Sequence, residues 1–298
     1  MPGNPLSPAL MNTNAFLLVI AGATLHAIWN LCAKKASGGL PFVWLYGVVS
    51  IVVALPFGVL AWRSHAGQLT TAAWIAIVAS AFVHVGYSLI LQKGYQKSDF
   101  SLVYPLARGT GPLFAVGGAV LLLGETPSLT GYLGIAAILA GILLLAGIGD
   151  LAHSDPQTRR AGLLWGCLTG LSIASYTLID GWAVKTLGLA PVLYYVLGLA
   201  LRTLILAPQA LHARQELHEQ WQTNGRYIVA VGILSPLSFT LALFAMTLAP
   251  LAYVAPLREL SMLLGVVFAA WLLREALTPG RIIGTLCMIL GAALLAGA

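Results

Sequence analysis

The sequence predicts an all-α integral membrane protein, with ten transmembrane helices forming two five-helix inverted-topology repeats around a central cavity. Three observations predict it. Hydrophobic residues make up 59% of the chain and charged residues only 8%, with mean hydropathy +0.90; soluble domains carry about 25% charge, so composition speaks against a soluble fold. Ten apolar runs follow one another, most of them close to the ~20 residues that cross a bilayer. The second half of the 298 residues then repeats features of the first at an offset of 150.

Taken in order, residues 1–12 (MPGNPLSPALMN) hold three prolines and neither Lys nor Arg. A secretory signal needs a basic start, so the stretch reads as a short disordered leader. The apolar runs lie at 14–33, 41–62, 72–92, 100–123, 129–148, 161–183, 191–211, 227–248, 250–273 and 280–297. None alternates with period 2, which favours helices over barrel strands. Polar stretches at 63–71, 149–160 and 213–226 read as loops. The middle one divides a first repeat, 13–148, from a second, 161–298.

The repeat is carried by particular residues. Arg108 and Glu125 return as Arg258 and Glu275, Gly134 and Gly141 as Gly284 and Gly291, Pro41 as Pro191, Lys35 as Lys185 and Asn30 as Asp180. The register slips by one at the prolines, where Pro105 matches Pro256. Five spans per half is an odd number, so the second half enters the membrane upside down. Sites in such folds lie near the midplane between the halves.

Arginine at mid-membrane costs at least about 2.5–3.5 kcal/mol, so Arg108, Arg202 and Arg258 must face protein or water. Their forked guanidinium matches a carboxylate or phosphate. The competing reading is a structural ion pair, or a bond to carbonyls freed by nearby prolines. Arg108 and Arg258 are expected at the cavity; Arg202, whose first-half counterpart is Val52, stands between the two readings. Two acids lie within the spans, Asp180 and Glu259, and both are candidate proton carriers. Arg258 and Glu259 are neighbours, about 100° apart on a helix, so each needs a partner elsewhere. Asp180, five residues before Lys185, reads equally as a helix-end contact and as a seat for a substrate ammonium group.

His26, Trp29 and Asn30 share one helix face, as do His84 and Tyr87. With Tyr104 and Tyr176 they outline a polar, aromatic lining fit for an amphipathic solute; packing histidines are the plainer alternative. Trp44, Trp62, Tyr194 and Tyr195 lie near span ends and are assigned to the interfacial belt. The glycines of spans five and ten, spaced i and i+7, are assigned to helix packing within a monomer, with a dimer contact second.

Gly124-Glu125 and Arg274-Glu275 each close an apolar helix before a turn and a glycine-spaced helix. In this the chain resembles, over nearly its whole length, the EamA-type permeases of the drug/metabolite transporter superfamily, and within them amino-acid exporters of the YddG type. The resemblance implies a multi-pass protein of the bacterial inner membrane that exports amino acids or related metabolites by alternating access. Pro105, Pro112, Pro236 and Pro256 are its candidate kinks. Walker A, HExxH, CxxC and G-x-S-x-G signatures are absent, so no cofactor, metal or catalytic residue is expected. Partners are a small-molecule substrate and membrane lipid, not nucleic acid. The alternatives are an intramembrane enzyme using His84, Asp180 or Glu259 on a lipid-borne substrate, or an importer of a nucleotide-sugar or organic cation.

Ten basic residues fall in odd-numbered connections (Lys34, Lys35, Lys93, Lys97, Arg159, Arg160, Arg214, Arg226, Arg274 and Arg281) and two, Arg63 and Lys185, in even-numbered ones. The positive-inside rule therefore places odd connections in the cytoplasm and both termini outside. The resemblance implies the reverse orientation.

Overall fold

The computed structural model describes residues 11–36, 39–98, 100–145, 156–264 and 279–298, and every long element among them is a helix. The helices are α1 (Thr13–Ala36), α2 (Gly39–His65), α3 (Thr71–Lys97), α4 (Phe100–Leu122), α5 (Leu129–Leu145), α6 (Pro156–Gly181), α7 (Pro191–His212), α8 (Arg214–Leu248), α9 (Leu251–Arg258) and α10 (Pro279–Ala296). A 3₁₀ turn, Ala66–Gln68, follows α2, and a π turn, Trp182–Thr186, follows α6.

Seven of these, α1, α2, α3, α6, α7, α8 and α10, are long and apolar enough to cross a membrane. The apolar stretches of α4 and α5 are shorter. Span nine is described only to residue 264, so its remainder, with Arg274 and Glu275, lies outside the described residues. Leucines such as Leu121, Leu122 and Leu129 stand outward, as lipid-facing positions require.

Two expectations need correction. The polar stretch 213–226 is not a loop. It is the start of α8, held by i, i+4 bonds from Gln215 to Glu219 (3.0 Å) and from Asn224 to Gln220 (2.8 Å). Such pairs stabilise helices without any apolar face, which hydropathy cannot see. Residues 1–10 of the leader lie outside the described residues, but its end is built in. Met11 donates its N–H to the carbonyl of Ala298 at 2.9 Å, and Asn12 Oδ1 accepts from Asn14 N at 2.8 Å. The stretch 149–155 between the halves lies outside the described residues, and 156–160 is already helix.

Contacts between connections sort them by parity. Asn224 at the start of α8 bonds the Ala36 carbonyl after α1 (3.1 Å), and Ser98 after α3 bonds the Thr158 carbonyl before α6's apolar run (2.8 Å). On the even side, Gln68 after α2 accepts from Ala190 N before α7 (3.0 Å). The α4–α5 turn meets the starts of α9 and of the α6–α7 connection through Glu125. Odd connections meet odd ones and even meet even, as a chain that crosses the membrane at each helix must arrange.

Helix neighbours obey the repeat as well. Exchanging the halves turns the α1–α8 contact into α6–α3, α2–α8 into α7–α3 and α4–α6 into α9–α1, all of them present. The pairs α2–α7, α4–α9 and α5–α10 map onto themselves. Equivalent helices also pack antiparallel. Gly47 faces Thr203 while Gly58 faces Val196; Gly134 faces Gly291 while Gly141 faces Gly284. In α5 and α10, a Cβ at Gly141 would stand 2.7 Å from the Gly284 carbonyl oxygen, and one at Gly284 would stand 2.8 Å from that of Gly141. The glycines therefore let two equivalent backbones touch within one chain.

Candidate functional site

The sequence-predicted residues gather in two polar clusters among α1, α3, α4, α6 and α9. In the first, Arg108 of α4 donates through Nη1 to both carboxylate oxygens of Glu259, at 3.0 and 3.3 Å. Its Nη2 lies 3.1 Å from Nε2 of His26. A guanidinium only donates, so that imidazole nitrogen accepts. Trp29 sets its ring edge-on to His26 at 4.7 Å, and Tyr104 lies under the guanidinium at 5.4 Å. The local backbone explains the pairing. Pro256 lacks an N–H, α9 stops at Arg258, and the Glu259 N–H turns back to the Pro256 carbonyl at 3.0 Å. That turn swings Glu259 toward α4 and away from its neighbour Arg258. Asn30 is half-buried one turn from His26 and does not join the cluster.

The second cluster centres on Asp180, which is 1% exposed. Its Oδ1 accepts from Ser80 Oγ and from the Tyr194 hydroxyl, both at 2.6 Å. Those lengths belong to charge-assisted O–H···O⁻ bonds. The helix-end contact with Lys185 is thus replaced by partners from α3 and α7. His84 Nδ1 donates to the Ser80 carbonyl at 2.8 Å, and its ring stacks on Tyr176 at 4.0 Å. Tyr87 meets Tyr176 edge-on at 5.8 Å. Beside them is a cavity of ≈ 10 Å³ bounded by Ser80, His84, Asp180, Tyr195, Arg202 and Phe239. It has room for about one water.

Phe239 of α8 sits among the remaining charges. Arg258 lies 5.5 Å and Arg202 6.0 Å from its ring centre, with His84 at 5.7 Å and Tyr195 at 5.3 Å. Sequence reading missed Ser80, Tyr194, Tyr195 and Phe239. Ser80 is one helical turn before His84 and was findable from that spacing. Tyr194 and Tyr195 are 3% and 5% exposed, so they pack inside the bundle rather than form an outward-facing interfacial belt; Tyr194 bonds Asp180 and Tyr195 lies against Phe239. Trp62 stays exposed, whereas Trp44 donates to the Thr203 carbonyl at 3.2 Å.

A third feature ties the halves together at one face. Glu125 accepts from Leu251 N and Ala252 N, both at 2.9 Å, and from Lys185 Nζ at 2.7 Å. Its carboxylate thus caps the N-terminus of α9, where unsatisfied N–H groups and the helix dipole favour negative charge.

Carboxylate–cation pairs among the described residues include Arg108–Glu259 and Lys185–Glu125, and among those residues no group of three His, Cys, Asp or Glu could hold a metal. Arg202 and Arg258 have aromatic faces beside them. Among the described residues, Arg108, Arg202 and Arg258 against Glu259 and Asp180 leave one positive charge in excess.

The profile of the EamA-like transporter family matches residues 13–147 and, a second time, residues 160–297. A solved crystal structure superposes with a TM-score of 0.70 at 16% identity, over 95% of this chain and 96% of that chain; at that identity the likeness concerns fold alone. No curated protein matches the sequence.

Proposed function

The chain belongs to the EamA-like transporter family, and we propose that it is a secondary transporter that exports amino acids or related small metabolites across the bacterial inner membrane by alternating access. The observation that carries the substrate class is the excess of arginine. Arg108 is neutralised by Glu259 and Asp180 offsets one of the two charges of Arg202 and Arg258 around Phe239, so one positive charge remains to receive a carboxylate. The aromatic faces of Trp29, Tyr87, Tyr104 and Tyr176 offer surface for the apolar part. A cation without a carboxylate would meet repulsion there, which favours amino acids of the YddG-exporter kind over organic cations. Antiparallel packing of equivalent helices supports the inverted topology that alternating access uses.

The test is efflux from proteoliposomes of purified protein preloaded with labelled amino acids or with the amines lacking their carboxylate. The amino acids should leave and the amines stay, and Arg258→Gln should cut amino-acid efflux at least tenfold. Equal efflux of both classes, unchanged in Arg258→Gln, would remove the carboxylate seat.

A further inference from the structure

We propose that Asp180, set by Ser80, Tyr194 and His84, is a proton-binding site separate from the Arg108–Glu259 cluster. Oδ1 of Asp180 already accepts two O–H donors. Among the described residues, its buried Oδ2 and the buried Nε2 of His84 meet no hydrogen-bond partner. A buried acceptor left unmatched is costly, and a water, an ion or a proton is what satisfies one. Both residues bound the same one-water cavity. His84 donates through Nδ1 to the Ser80 carbonyl, which leaves Nε2 as the acceptor of the neutral ring. Two acceptors on one small cavity call for a donor.

A hard metal ion does not suit the place. Such ions take six or more oxygens, whereas this wall offers the oxygens of Asp180, Ser80 and Tyr194 beside the Arg202 guanidinium. A proton needs only one lone pair and the room for the water that delivers it. The step is a proton transfer: an O–H bond of hydronium breaks, an O–H bond forms on Oδ2, and water remains. The titratable or charged groups around Asp180 are His84 of α3, Tyr194, Tyr195 and Arg202 of α7, and Arg258 of α9; Phe239 closes the α8 side. With Arg202 on its wall and Arg258 nearby, the site carries one net positive charge when Asp180 is ionised and two when it is protonated. Protonation then strengthens the pull on an anion at Arg202 and Arg258, which is how the proton and the cargo would communicate.

This deepens the transport reading by naming the coupled ion, but its test requires no cargo. Infrared difference spectra are recorded across a pH titration of the purified chain in lipid nanodiscs. A protonated-carboxyl C=O band should appear in the wild type and be lost in Asp180→Asn. Ser80→Ala and Tyr194→Phe, each removing a donor to Oδ1, should keep the band and displace its transition. His84→Gln should perturb its frequency. Identical spectra for wild type and Asp180→Asn overturn the proposal, as does a band indifferent to both Ser80→Ala and Tyr194→Phe. Should Asp180→Asn fail to fold, the displacement in the latter two variants decides. Absence of amino-acid efflux would sink the cargo reading and leave this titration standing.

Discussion

Arg108 and Glu259 hold each other where little water reaches, with side chains 17% and 7% exposed. Removing one partner strands the other charge, which costs about 3–5 kcal/mol for buried pairs. Glu259→Gln should therefore lower the thermal midpoint in detergent sharply, and the double change Arg108→Gln with Glu259→Gln should recover much of the loss. A single variant as stable as wild type would mean the pair is solvated. His84 and Tyr87 contribute rings to the Tyr176 stack, and their replacement by alanine should lower efflux several-fold while expression and folding persist. Normal efflux in both would make them packing residues. Sequence alone could name these residues because a charge or histidine inside an apolar run is conspicuous. It could not pair them. Glu259 beside Arg258 gives no hint of Arg108, since the turn after Pro256 decides which helix the carboxylate meets. Phe239 was invisible for the opposite reason, being one apolar residue among many until two arginines and a histidine surround it.

At the scale of elements, α5 and α10 depend on the absence of side chains. A methyl group at Gly141 would lie 2.5 Å from Met288 Cγ as well as against the Gly284 carbonyl, and backbone cannot yield as a flexible chain end can. Overpacking of this kind costs about 1–3 kcal/mol. Gly141→Ala should accordingly lower the melting temperature. Gly117→Ala, where no atom lies within 4 Å of the added carbon, should leave stability unchanged or raise it by up to about 1 kcal/mol. Equal melting of the two variants would contradict the close helix contact. The glycine spacing announced a close helix contact within the monomer, but that α5 and α10 are each other's partners is seen only in the structure. The polar start of α8 was hidden because its stability comes from i, i+4 side-chain bonds rather than from an apolar face. Glu125 was seen as the end of an apolar helix, but its role as the cap of α9 requires a neighbour 126 residues away in sequence, which no local pattern reports.

For the whole molecule, composition and the 150-residue offset were enough to state membrane helices in two repeats, because both follow from solvent chemistry and symmetry rather than from side-chain geometry. Met11 bonded to Ala298 puts the start of α1 and the end of α10 at one face of the bundle, but which side that face takes is left to charge. Ten basic residues in odd connections against two in even ones predict that a reporter active only in the cytoplasm, fused after Ala298, stays silent; a strong signal would reverse the orientation. The Glu125 cap joins the halves at the even face, as the Asn224 bond to Ala36 does at the odd face. Alternating access makes one demand that a pore does not: the site must return loaded for exchange to run fast. The most direct measurement is efflux of a labelled amino acid from proteoliposomes holding only this protein, with and without the same unlabelled amino acid outside. The account predicts that external substrate accelerates efflux several-fold, with saturation. Efflux indifferent to external substrate would contradict a site offered to one side at a time.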